Sequence, residues 1–392
     1  MYDFDKEVNR RNTGSLKWDV KENELPMWVA DMDFETAPEI KQALVERAQY
    51  GVFGYNIVPD EWYQSYIGWW KKQHHFLIEK EWMIFATGIV PILSSVVRKL
   101  TTSGENVLIQ APVYNIFFNS IFNNGRNVLE SPLLYKNGIY SIDFTDLEKK
   151  LSNPQTTLMI LCNPHNPIGK IWDKTTLKQI GELCAKHHVI VISDEIHCDL
   201  TAPDKEYVPF ASVSDTCRDN CVMCAAPTKT FNLAGIQTAA AIIPNPVLRH
   251  KVWRALNTDE IAEPNSFAIT ATVAAFGKGG AWLAELKKYL QENKQYVVDY
   301  LEKEIPHLRV VSLEATYLLW IDCSRVSGFS ALLAEYICGK TGLYLSPGKE
   351  YGESGNSFLR LNIACTRKNL TDGLDRLKAG IESFEEWMQK NC

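Results

Sequence analysis

Nowhere in its 392 residues does the chain run apolar for long enough to cross a bilayer, which excludes a helical membrane protein. Clustered basic charge is lacking too. The 41 lysines and arginines are outnumbered by 47 acidic residues, for a net charge of −6, and they are scattered along the chain. No stripe is available for nucleic acid and no polybasic segment for an anionic membrane surface. The opening Met1-Tyr2-Asp3-Phe4-Asp5-Lys6 lacks the basic-then-apolar order of an export signal, so the expected location is the cytoplasm. There is no internal repeat and no low-complexity linker. Ten cysteines occur, but thinly and only from Cys162 onward, in a chain too large to depend on disulfide staples. Cys221-Val222-Met223-Cys224 has metal-type spacing, yet no second pair lies at a suitable distance and the pair sits in an apolar run. It reads as buried free thiols, and no metal is expected.

What is present is an ordinary soluble composition, 46% hydrophobic and 22% charged, at a length that predicts two cores or lobes. Short apolar runs at 83–86, 106–109, 157–161, 189–192, 221–226 and 239–243 alternate with helical patterns. One such helix follows Asp173, a natural cap, with Leu177, Ile180, Leu183 and Cys184 at helical spacing. This alternation predicts an α/β architecture, a parallel or mostly parallel sheet covered by helices, with ligands at the carboxyl ends of the strands. After about Gly280 the pattern changes. A long amphipathic helix over 282–304, strand-like segments at 308–313 and 316–321, a helix near 330–339 and a last helix ending near 389 suggest a smaller α+β lobe. The first forty residues, rich in Trp and Asp, read as an arm folding onto it.

Several strand ends carry chemistry. Asp194, in Ser193-Asp194-Glu195-Ile196-His197, is a carboxylate after four apolar residues, a costly position without a cationic partner. It either caps the next element or faces a pyridine nitrogen whose protonation it favours. Lys229 follows a strand among hydroxyls and small residues. It is either a surface lysine after a turn or a Schiff-base lysine, with Thr228 or Thr230 near a phosphate. Ala86-Thr87-Gly88-Ile89-Val90-Pro91 joins strand to helix through glycine, and helix N-termini cradle phosphates. The rigid Asn163-Pro164-His165-Asn166-Pro167-Ile168-Gly169 loop can aim an amide at a ligand. Arg360, among the apolar residues of Phe358-Leu359-Arg360-Leu361-Asn362, either pairs with an Asp or grips a substrate carboxylate with its planar fork.

In this order these motifs, with Ala226-Pro227-Thr228-Lys229-Thr230-Phe231-Asn232-Leu233-Ala234-Gly235, resemble the aspartate aminotransferase fold, fold type I of the pyridoxal 5′-phosphate (PLP) enzymes. Leu25-Pro26-Met27-Trp28-Val29-Ala30-Asp31-Met32-Asp33-Phe34, Val52-Phe53-Gly54-Tyr55 and Ala111-Pro112-Val113-Tyr114 resemble, more narrowly, the MalY/PatB type of carbon–sulfur lyase. Its members act as cystathionine β-lyases or cysteine desulfhydrases. The resemblance implies a three-layer fold with a large mixed, mostly parallel sheet domain over 41–280 and a smaller α+β domain over 281–392. Residues 1–40 would be an arm and part of the small domain.

It implies roles as well. Lys229 would hold PLP and take the substrate Cα proton, and Asp194 would pair with the ring nitrogen. Asn166 would donate to the ring oxygen, and Tyr114 would stack on the ring and assist proton transfer near the sulfur. Gly88, Ile89 and Thr230 would hold the phosphate, helped by Tyr55 from a neighbouring subunit of a homodimer. Arg360 would bind the α-carboxylate. His197 stands where aminotransferases carry a tyrosine, and would touch the ring oxygen or pack beside it. Gln237 replaces a phosphate-binding arginine and Ala226 a serine, so the phosphate would be held with less charge. The implied activity is α,β-elimination from a small-molecule amino-acid substrate, cystathionine or cysteine, giving pyruvate, ammonia and a thiol. Aminotransferase chemistry and a non-catalytic binding or regulatory protein are the alternatives.

Overall fold

Strands that are apolar at every position need protein on both faces. The strand Thr156–Cys162 shows how this is met: Met159 and Leu161 enter one core, while Leu158, Ile160 and Cys162 enter a second on the opposite side. The computed structural model describes residues 2–312 and 314–391. Seven strands form the large sheet. Their order across it is Met83–Ala86, Ala239–Ile242, Cys221–Ala225, Ile190–Asp194, Thr156–Cys162, Asn106–Ile109, Asn127–Glu130. Ala239–Ile242 runs against both its neighbours, and the other pairings are parallel. Helices Ile89–Leu100 and Pro246–Thr258 bury Ile92, Val96, Leu248 and Val252 against one face. Asp60–His74, Lys174–Lys186 and Ala268–Lys278 cover the other with Trp62, Trp70, Leu177 and Ala271. Three layers result. Asp173 caps its helix, accepting from the Thr176 N–H at 2.8 Å.

Strand geometry also decides the cysteine pair. Three residues apart on one strand, Cys221 and Cys224 point to opposite faces and belong to different cores, so they have no common ligand.

A second, antiparallel sheet joins Arg309–Val310, Leu318–Asp322, Phe358–Asn362 and Ser346–Pro347. Helices Gly280–Glu304, Ser330–Thr341 and Arg367–Asn391 pack around it. The strand expected from 316 begins two residues later, because Thr316 sits at φ 68° and turns the chain. That expected at 308–313 shortens to Arg309–Val310, and Leu313 lies outside the described residues. The N-terminal segment is stitched on beside this sheet: Leu25–Pro26 forms a separate two-stranded parallel pair with Leu343–Tyr344, and Asn362 Nδ2 of the sheet donates to the carbonyls of Val29 and Asp31 at 2.6 Å each. Arg10 bridges Asp31 and Asp33 at 2.6 and 2.8 Å, and buried Lys17 reaches Asp33 at 3.0 Å. Asn232 ties the segment to the large sheet, accepting from Met32 N–H and donating to the carbonyls of Met32 and Phe34.

Backbone crowding fixes the turn beneath Arg360. A Cβ on Gly348 would lie 2.1 Å from the carbonyl oxygen of Gly355 and 2.5 Å from that of Phe358. Neither is a side chain able to swing away. Gly348→Ala is therefore expected to lower stability by about 3 kcal/mol, read as a lower midpoint in urea unfolding.

Candidate active site

Register brings three loops together. Cys162 is opposite Asp194, and Asp194 opposite Cys224, so the segments after these strands leave the sheet side by side. Beyond the Met83–Ala86 strand, the helix Ile89–Leu100 begins without a side-chain cap at Gly88, leaving the N–H groups of Ile89 and Val90 as free donors. Between these elements lies a cavity of about 260 Å³, lined by Gly88, Ile89, Tyr114, Asn166, Asp194, His197 and Lys229. These residues come from five separate stretches of sequence.

Asp194 is buried and accepts one hydrogen bond, from the Ile196 N–H at 3.2 Å. No cation forms an ion pair with it among the described residues, and burial raises its carboxyl to about 6. Adjacent Glu195 differs. Ser193 Oγ, the Tyr207 hydroxyl and the Phe210 N–H all donate to it, so it is a satisfied structural group. Lys229 is partly open to the cavity, and its amine donates to the carbonyl of Ala30 at 2.6 Å. Desolvation, with Arg360 nearby, lowers that amine to about 8. Burial holds the Tyr114 hydroxyl up at about 12 and the His197 imidazole down at about 3, so both are neutral at physiological pH.

Arg360 sits just behind the cavity wall. Its guanidinium donates to Asn166 Oδ1 at 3.2 Å and to the Trp28 carbonyl at 2.7 Å, and lies 4.9 Å from the centre of the Tyr351 ring. It is 5% exposed and forms no ion pair among the described residues, so pairing with a structural Asp does not account for it. A buried guanidinium without a carboxylate is a natural anchor for one on a ligand.

Two of the expected residues lie elsewhere. Thr230 turns its hydroxyl away from the cavity, donating to Asp199 at 2.9 Å, and Thr228 takes the lining position instead. Tyr55 is fully exposed within one chain. Ala30 and Thr238 line the cavity without having been anticipated, beside Gln237, which stands where a phosphate-binding arginine was expected. The last two arrive because the antiparallel strand begins at the end where its neighbours finish. Ala30 acts through its backbone carbonyl, which also accepts from the Tyr317 hydroxyl at 3.1 Å.

The residues present fit PLP. A buried carboxylate lacking a cation suits a protonated pyridine nitrogen, uncapped helix N–H groups suit a phosphate, and a lysine faces the same space. Fold and site together define the class: a PLP-dependent enzyme of the aspartate aminotransferase fold. The chain belongs to the aminotransferase class I and II family, whose model matches residues 23–377. It is 43% identical to the cystathionine beta-lyase PatB of Bacillus subtilis, over 96% of this chain and 99% of that one. It is 33% identical to the protein MalY of Escherichia coli, with 98% and 100% covered. Among solved structures it is similar to cystalysin from Treponema denticola, which contains a pyridoxal 5′-phosphate cofactor. There the TM-score is 0.94, the identity 32%, and the coverage 98% and 99%.

Proposed function

We infer that the protein is a PLP-dependent carbon–sulfur β-lyase, converting a β-thio amino acid to pyruvate, ammonia and a thiol. The observation that carries this is Lys229 and Asp194 lining one cavity at the carboxyl ends of the sheet. The similarity to a cystathionine beta-lyase along the whole chain supports the lyase over the transaminase outcome. When bound, the cofactor supplies an electron sink for the pair left on Cα.

The chain's own groups do the rest. Lys229 would hold the cofactor, and its amine, already lowered to about 8, would take the Cα proton. Asp194 keeps the ring nitrogen protonated. Asn166 orients the ring oxygen, and Gly88, Ile89 and Thr228 hold the phosphate. Arg360 anchors the α-carboxylate, and Tyr114, protonated at neutral pH, donates to the departing sulfur. His197 packs neutral beside the ring and moves no proton.

A panel of β-thio amino acids, reading pyruvate and thiol together, tests the reading. Equal amounts of both are expected; conversion to an amine form of the cofactor, with pyruvate absent, would make the protein an aminotransferase. Arg360→Lys should raise KM for the amino acid by about tenfold to a hundredfold, because an ammonium does not reproduce the bidentate fork. A steady-state KM measurement checks it.

The working unit is proposed to be a homodimer in the cytoplasm, where buried free thiols of this number stay reduced. Tyr50, Val52, Phe53, Tyr55 and Ile57 are exposed together beside the opening helices, an apolar strip suited to a second copy. Tyr55 would enter the neighbouring site from there. A Tyr55→Asp chain is expected to elute as a monomer with weakened cofactor retention.

A further inference from the structure

On the far side of the segment that carries Lys229 lies a second cavity, of about 420 Å³, whose wall includes His74, Cys198, Asp199 and Lys287. Neighbouring residues join its wall to that of the first. His197 faces the first cavity while Cys198 and Asp199 face the second, and Thr230, next to Lys229, donates to Asp199.

Three ligand-type atoms meet here. A ring nitrogen of His74, Cys198 Sγ and a carboxylate oxygen of Asp199 all lie within 4.8 Å of one another. His74 comes from the last turn of the helix Asp60–His74, and the other two from the loop after the Ile190–Asp194 strand. His74 Nε2 and Asp199 Oδ1 are 2.9 Å apart, with a proton between them. The carboxylate is held in place by Trp69 Nε1 at 2.9 Å and Thr230 Oγ1 at 2.9 Å, donors of the kind that orient metal-ligating carboxylates.

We propose that His74, Cys198 and Asp199 form a binding site for one divalent cation of the zinc class, with its fourth position open to the cavity. Tetrahedral bonds of about 2.0–2.3 Å to N, O and S set ligand atoms roughly 3.3–3.6 Å apart. The present cluster reaches that by side-chain shifts of about 1 Å. The cation replaces the proton shared by His74 and Asp199. The thiol proton leaves to solvent, and the imidazole keeps its own on Nδ1. A nitrogen, a thiolate and one carboxylate favour zinc or cobalt over magnesium or calcium, which prefer all-oxygen sets.

Lys205, Lys287 and Lys288 bring positive charge to the same wall and oppose binding. Lys287 shares the cavity wall, its amine donating to Thr201 Oγ1 at 3.0 Å and lying near enough to Asp199 for their charges to interact. This gives the site a signature that a purely structural hydrogen-bond cluster would not show: removing Lys287 should tighten cation binding.

The test titrates dialysed holoenzyme with cobalt(II), followed by its ligand-field bands in the red, clear of cofactor absorption. Wild type, Cys198→Ser and Lys287→Met are compared, and zinc is then added in competition. One cobalt per chain, displaced by zinc, is expected. Binding should weaken about a hundredfold in Cys198→Ser and tighten roughly tenfold in Lys287→Met. Intense bands that persist in Cys198→Ser, or an affinity unmoved by Lys287→Met, would place the cation elsewhere and overturn the site. Absence of any band at millimolar cobalt would overturn it equally.

Discussion

With Lys229 replaced by alanine, pyruvate release falls by a factor of about 10³ or more, and borohydride no longer fixes the cofactor to the chain. The size of the effect follows from the neighbours. A base must take the Cα proton, and no other group facing the cavity can stand in for the amine. Burial leaves His197 too weak a base, at about 3, and keeps Tyr114 protonated up to about 12. Asp194 faces the cavity as well, but in the proposed mechanism its charge is committed to the ring nitrogen. Mass spectrometry after borohydride treatment, together with turnover, checks both halves. Circular dichroism separates loss of function from loss of fold. A small amine added to the variant should restore part of the activity, whereas a variant retaining most of its turnover would remove Lys229 from the mechanism.

Asp194→Asn is expected to lower kcat/KM on the order of 10²–10³, the range seen when one preorganised electrostatic group is lost. The same change should stabilise the protein before it meets its cofactor. Burial raises this carboxyl from 3.8 to about 6 in the folded chain, so the folded state holds the proton more tightly than the unfolded one. Its contribution to stability is therefore present below the unfolded value and disappears as pH rises through the folded value. Above pH 6 the charged group costs at most on the order of 3 kcal/mol, which the uncharged amide avoids. Cofactor-free Asp194→Asn should melt above cofactor-free wild type at pH 8, and together with it near pH 3.5. A cationic ring nitrogen offsets the cost in the loaded enzyme. Calorimetry of both forms at both pH values decides it, and a lower melting point for the cofactor-free variant at pH 8 would contradict this account of Asp194.

Much of this was legible in the sequence. Met83–Ala86 and Asn106–Ile109 appear where their apolar runs end, because a strand buried on both faces leaves no polar position to blur it. Asp194, Lys229 and Asn166 stood out as polar groups near strand ends, each open to an ordinary structural reading, and it was the order of their motifs, resembling a known fold, that joined them into one site. Other features left no mark. Whether Thr228 or Thr230 faces the cavity depends on the turn closed by Phe231 N–H on the Pro227 carbonyl, which sends neighbouring side chains in different directions. The reversed direction of Ala239–Ile242, which delivers Gln237 and Thr238, is invisible in apolarity, since a buried strand reads alike both ways. Ala30 contributes a carbonyl, which every residue owns.

The carbonyl of Trp28 on Arg360, 332 positions further along, and that of Ala30 on Lys229 mean that the pocket is closed from both ends of the chain. All seven strands of the large sheet precede residue 243, so during synthesis they are made well before Arg360, the proposed anchor of the substrate carboxylate. A chain that stopped before residue 360 would carry Lys229 but lack the guanidinium proposed to hold the substrate carboxylate.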